Sequence, residues 1–303
     1  MNARERGFLL LSSHLGNPDR KPLTVPQLRT LADRMRLMGK PVEDRDLQLQ
    51  DLIALGYGSE FAQRVLCLLD EEDLLEHYLY KGKTSGCVPV TRVTDGYPLI
   101  LRKRLGLDCP GSLWCKGDIH LLDTPAVALV GSRDLQQPNR EFAEEVGRQA
   151  ALQGLTLVSG NARGADRTAQ ESCLRAGGQV ISVVADELSK QPLRENVLYV
   201  SEEDFEAEFS AQRAISRNRV IHALGRMVFV AQSHQGKGGT WDGTVKNLRF
   251  GWSPVLCFRD GSEAACQLEQ MGAFLIDTAA VLDFGALQES DALQESEMNF
   301  FDR

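Results

Sequence analysis

Two short stretches gather the residue types that hold an anion: Gly131-Ser132-Arg133, and Ser159-Gly160-Asn161-Ala162-Arg163-Gly164. Each supplies glycine for close backbone approach, a small hydroxyl residue and one arginine. A planar guanidinium suits phosphate better than an ammonium does, and amides at a helix start add donors. Two further segments carry the same chemistry. Ser216-Arg217-Asn218-Arg219 sets two arginines about an asparagine at a helix start, where they serve an anion or else neutralise the acidic run Glu202-Glu203-Asp204. Gly236-Lys237-Gly238-Gly239-Thr240 joins glycines and a lysine to a capping threonine, and Trp241 beside it stacks on a base or packs. No catalytic set accompanies them. Ser132 is not in a Gly-x-Ser-x-Gly elbow, and Asp166 in a first helical turn suits the dipole without any chemistry. The site reads as one for binding.

The elements around these stretches predict how they meet. The apolar runs 126–130 and 155–158 flank a helical pattern over 139–153, which makes a right-handed parallel strand–helix–strand unit with both polar loops at the carboxyl edge. Further strands are expected at 180–184, 197–200, 227–231, 255–258 and 274–276. Helices are expected over 165–176, 204–224 (as one or two pieces), 240–250 and 262–271. Such alternation means an extended Rossmann-like, doubly wound α/β sheet, mostly parallel, with helices on both faces. Ahead of it, Leu28, Leu31, Ala32, Met35 and Met38 recur at helical spacing, and 47–55 and 61–69 repeat the pattern. We divide the chain into a small all-α domain (1–83), a Rossmann domain (84–285) and an acidic tail (286–303) expected to be flexible. Residues 81–86, Lys-Gly-Lys-Thr-Ser-Gly, read as the linker. Their GKT letters follow no buried strand and make no P-loop. The tail repeats Ala-Leu-Gln-Glu-Ser and ends near Phe300-Phe301, which serve as a docking peptide or fold back on the core.

Charge sharpens the reading. The net charge is −8 over 303 residues, which argues against a uniformly basic nucleic-acid binder. Between 212 and 250, however, seven basic residues face one acid, and from 260 onward ten acids face one base. The seven cysteines are scattered without a Cys-x-x-Cys pair and the five histidines are dispersed, so neither a disulfide framework nor a metal centre is expected. No apolar run approaches the ~20 residues of a membrane span, and a cytoplasmic location without membrane contact is expected.

With these residues in place, a resemblance emerges. Tyr97-Pro98, Leu113-Trp114-x-Lys116-Gly117-Asp118, Gly131-Ser132-Arg133, Ser159-Gly160-x-Ala162-Arg163-Gly164-x-Asp166 and Arg217-Asn218-Arg219, in that order, resemble the DprA/Smf family of DNA-processing proteins over about residues 97–277. The resemblance implies a non-catalytic single-stranded DNA binder without cofactor or metal, forming a homodimer and handing the strand to a RecA-type recombinase in uptake and recombination. It further implies that Ser132, Arg133, Arg163, Arg217 and Arg219 hold backbone phosphates while Gly131, Gly160 and Gly164 allow close approach. Two departures stand out. Gly238-Gly239-Thr240 looks closer to the GGT loop of nucleotide-binding relatives such as the LOG-type phosphoribohydrolases. Their catalytic glutamate has no match in Thr244-Val245-Lys246, which leaves a sensor or hydrolase of a small nucleotide as the alternative. The winged-helix domain that ends many members also has no counterpart after 285.

Overall fold

The structure is a computed structural model and describes residues 1–38 and 47–288. Nine strands form one sheet. In chain order they are β1 (Cys87–Thr91), β2 (Ser112–Lys116), β3 (Ala126–Val130), β4 (Thr156–Ser159), β5 (Val180–Val183), β6 (Val197–Ser201), β7 (Val228–Val230), β8 (Val255–Phe258) and β9 (Phe274–Ile276). Their spatial order is β1-β2-β6-β5-β4-β3-β7-β8-β9. Strands β3 to β9 run parallel, while β1 and β2 add an antiparallel edge. The chain leaves β3 towards β4, β5 and β6, then returns to β7 on the other flank of β3. That reversal is the switch point where open α/β sheets place their ligands.

Both faces of the sheet are covered, which is why β3 is an unbroken apolar run. Val127 and Leu129 share one core with Phe142, Val146 and Ala169 of the helices α7 (Gln137–Leu152) and α8 (Ala165–Arg175). Ala128 and Val130 share the opposite core with Leu101, Val220 and Leu268. Helix α7 meets α8 so closely that a Cβ on Gly147 would collide with the backbone of Ala169. The opposite face carries α6 (Leu99–Leu105), α10 (Asn218–Leu224), α11 (Gly238–Phe250) and α12 (Glu263–Gln270).

The N-terminal segment comprises α1 (Ala3–Ser12), α2 (Val25–Arg36), α3 (Leu49–Ala54), α4 (Ser59–Leu69) and α5 (Glu72–Thr84). Leu31, Leu52, Ala62 and Val65 close a small core of their own, but Leu9, Leu10 and Tyr78 join the main one. Residues 81–84, expected as linker, are instead the last turn of α5. Gly82 is small there because a Cβ would lie 2.9 Å from the Trp114 ring. Tyr78, Trp114 and Phe205 form a mutual aromatic cluster, with ring centroids 4.7–5.5 Å apart. Residues 204–210, expected to open a helix, are irregular. Helix α9 (Ala211–Ser216) begins only at its cap, where the Ser210 hydroxyl accepts from the Arg213 amide at 3.1 Å. Replacing Ser210 by alanine should cost about 1 kcal/mol, read as a lower urea midpoint. At the other end a last helix, α13 (Phe284–Gln288), packs Phe284 against Phe229, and its first amide donates to Gln153 Oε1 at 2.7 Å. The rest of the acidic tail, with Phe300-Phe301, lies outside the described residues. Among the described residues, no helix is long and apolar enough to cross a membrane.

Candidate nucleic-acid interface at the carboxyl rim

The loops after β3, β4 and β7 and the starts of α8, α10 and α11 meet at one stretch of rim. Close approach explains the glycines. At Gly131 a Cβ would collide with that of Ala165, and at Gly164 it would collide with the carbonyl oxygens of Ser132 and Arg133. Gly164 also has φ +87°, a conformation that L side chains rarely adopt. A Cβ on Gly160 would occupy the place taken by the Arg217 guanidinium. The loops also bind one another. The Ser132 amide donates to the Gln232 carbonyl at 2.9 Å, and the Ser132 hydroxyl lies 3.2 Å from His234 Nε2. The Thr240 hydroxyl donates to the Gly131 carbonyl at 2.9 Å, and Asn218 Nδ2 donates to the Gly239 carbonyl at 2.8 Å.

Arg217 is the buried cation of the site. Its guanidinium lies 3.7 Å from the equally buried Asp166 carboxylate, and its Nε has no partner. Burial pushes the Arg217 guanidinium below its usual range, while Asp166, and Asp186 more weakly, hold it up. Burial likewise pushes the Asp166 carboxyl above the ordinary aspartate range, opposed by Arg217, by the Ala162 amide at 3.3 Å and by the Ser159 hydroxyl. The pair is therefore coupled to the β4 loop on both sides.

Arg133 and Arg163 are exposed and line one open cleft of about 390 Å³ together with Asp134, Gly164 and two arginines of α7 and α8. Arg163 pairs with Asp134 at 2.9 Å, both side chains being largely in solvent, so this contact is easily exchanged. Arg133 lies close enough to Arg217 and Asp166 to shift both. Arg133 thus shares the open cleft with Arg163 and stands near the buried Arg217.

Other residues expected at the site are used differently. Arg219 is held by Glu202 at 2.6 Å, by the Asp108 carbonyl at 3.0 Å and by the Ser216 carbonyl at 2.8 Å. It neutralises the acidic run. Ser159 is fully buried and donates to the Leu129 carbonyl at 2.9 Å. Thr240 and Asn218 brace loops, as described above. Lys237 is exposed at the cap of α11, between the left-handed Gly236 and Gly238, and Trp241 packs partly buried against the core of that face. Sequence reasoning passed over Arg140 and Arg167. Their signal was a cation in the first turn of each helix that follows an anion-friendly loop, where the helix dipole disfavours positive charge.

A doubly wound sheet with a glycine- and arginine-lined rim at its switch point defines the class, a Rossmann-type α/β protein. Comparison with known families narrows this. Residues 89–280, well over half of the chain, match DNA recombination-mediator protein A, and the chain belongs to that family. It is similar to DNA processing protein DprA of Streptococcus pneumoniae, 32% identical over 182 residues, which make up 56% of this chain and 64% of that protein. It is also similar to Protein Smf of Escherichia coli, 28% identical over 137 residues, 42% of this chain and 37% of that one. The chain thus spans less than two thirds of the length of either relative. The solved structure of the S. pneumoniae protein superposes with a TM-score of 0.65, at 24% identity over 86% of this chain and 97% of that one. A Helicobacter pylori DNA processing protein A, solved to describe its single-stranded DNA binding mode, gives 0.53 at 22% identity over 71% and 96%. At such identities the two structures speak for the fold.

Proposed function

We propose that this chain binds single-stranded DNA at the carboxyl rim without altering it chemically, acts in recombination, and as a homodimer passes the strand to a RecA-type recombinase. The exposed Arg133 and Arg163 in one open cleft, beside the buried Arg217 and on loops that their glycines lock together, carry the reading. Kinship with a recombination-mediator family, and the binding mode studied in the H. pylori relative, support it. Phosphate contacts imply affinity that falls with salt, log K dropping by ~0.7 per contact per decade on single strands. In fluorescence anisotropy with a labelled oligonucleotide, the Arg133→Ala/Arg163→Ala variant should therefore bind more weakly and with a slope shallower by ~1.4. Both side chains are exposed, so the fold should be kept. Salt-independent binding, or an unchanged slope in the variant, contradicts the proposal.

One observation favours a second reading. Around Gly238 nothing lies within 4 Å of where a Cβ would stand, so the start of α11 is open as a small nucleotide phosphate would require. A mononucleotide that raises Tm where oligonucleotides do not would select that reading.

A further inference from the structure

Arg140 and Arg167 lie outside the four anion-friendly loops, yet they share the cleft of Arg133 and Arg163. Arg140 is on the first turn of α7 and Arg167 on the first turn of α8, and both are exposed. Among the described residues neither pairs with a carboxylate. Arg140 makes one contact, at 3.4 Å with the Thr168 hydroxyl, and Arg133 likewise has no carboxylate partner. Four guanidinium groups thus share a space lined by only two acids, Asp134 and Glu171, on a chain whose net charge is −8. The two helix positions sharpen this. The dipole places partial positive charge at the start of α7 and α8, so a cation there is unfavourable unless an anion is present. Arg133 links this cleft to the buried pair, since it lines the cleft and acts electrostatically on Arg217.

We propose that the bound strand leaves the rim past Arg133 and runs over the first turns of α7 and α8, where Arg140 and Arg167 hold further backbone phosphates. The inference rests on the single-strand reading above and makes the binding track longer than the four-loop rim. A two-helix cleft without stacking aromatics takes phosphates and no particular bases, so this extension is indifferent to sequence.

The test compares Arg140→Ala/Arg167→Ala with Arg148→Ala/Arg175→Ala, which removes the same charge from the C-terminal halves of the same helices. Anisotropy is measured with oligonucleotides of about 5 and about 20 nucleotides over a salt series. We expect the first variant to bind the longer strand roughly tenfold more weakly at ~0.1 M salt, with a slope shallower by ~1.4. Its affinity for the short strand should fall much less than that for the longer one, and its Tm should be no lower than that of the parent, because a charge opposed by the dipole has been removed. The control variant should match the parent. If Arg133→Ala/Arg163→Ala weakens binding while Arg140→Ala/Arg167→Ala does not, or if the control pair lowers the slope equally, the extension is wrong and the rim stands. If the parent binds neither strand, the single-strand reading itself falls.

Discussion

Replacing Arg217 by methionine is expected to lower the unfolding free energy by about 3–5 kcal/mol, because it strands the buried Asp166 carboxylate without its counter-charge. The wild-type pair is held by proximity rather than by an ideal hydrogen bond, at 3.7 Å, and both partners have given up water for it. The pH dependence follows from the direction of the Asp166 shift. Its folded pKa lies above the ordinary value and should rise further once Arg217 is gone. The native state then binds the proton more tightly than the unfolded chain does. Stability in the variant is accordingly best preserved below the ordinary aspartate pKa, and is lost as pH rises from there through the folded value. Urea midpoints of the variant relative to wild type, taken between pH 7 and pH 4, should therefore converge on acidification. Adding Asp166→Asn removes the stranded charge, so the double variant should regain much of the loss at pH 7 while binding DNA no better. A double variant as unstable as Arg217→Met alone would show that Asp166 is not the cause.

The second large effect is acid sensitivity from one histidine. His222 on α10 is fully buried, with Nδ1 3.1 Å from Asn247 Nδ2 and no partner at Nε2. Burial, reinforced by Arg217, pushes its pKa down to about 3. A protonated imidazole has no acceptor there. The unfolded chain takes up the proton near the ordinary histidine value and the native state does not. The stability present above that value is lost as pH falls from about 6.5 towards 3, on the order of 5 kcal/mol in all. In His222→Asn, whose carbonyl oxygen can replace Nδ1 as acceptor for Asn247, stability at pH 7 should be somewhat lower. Its decline between pH 7 and pH 4 should be clearly shallower than in wild type. Parallel declines would assign the acid sensitivity to other groups.

Sheet and strand positions were legible because β3 to β8 are buried on both faces and read as apolar runs ended by polar or glycine-bearing loops. What the sequence concealed comes from tertiary use of ambiguous residues. Gly82 looked like chain punctuation, but it is small so that α5 can lie on Trp114. Asp204 and Phe205 looked like a helix start. The Asp204 carboxylate instead accepts from the Ser13 hydroxyl and the Gly16 amide, each at 3.1 Å, and Phe205 turns into the aromatic cluster. At the rim, glycine spacing marked which loops meet, since each glycine answers a specific close approach. Residue type alone could not separate Arg217 from Arg219 two positions later. One is buried over Gly160, and the other is captured by Glu202. Only the helical phase, fixed by what α10 packs against, tells them apart.

The mutual bonding of the loops bears on how a strand would come and go. Ser132 with Gln232 and His234, Gly131 with Thr240, and Gly164 seated on two carbonyls leave these turns little freedom to lose on capture. The ordering cost of association then falls almost wholly on the nucleic acid. Release would be timed by the return of counterions to its phosphates, with no protein segment having to open, and a competing polymer could displace the strand stepwise, one phosphate at a time.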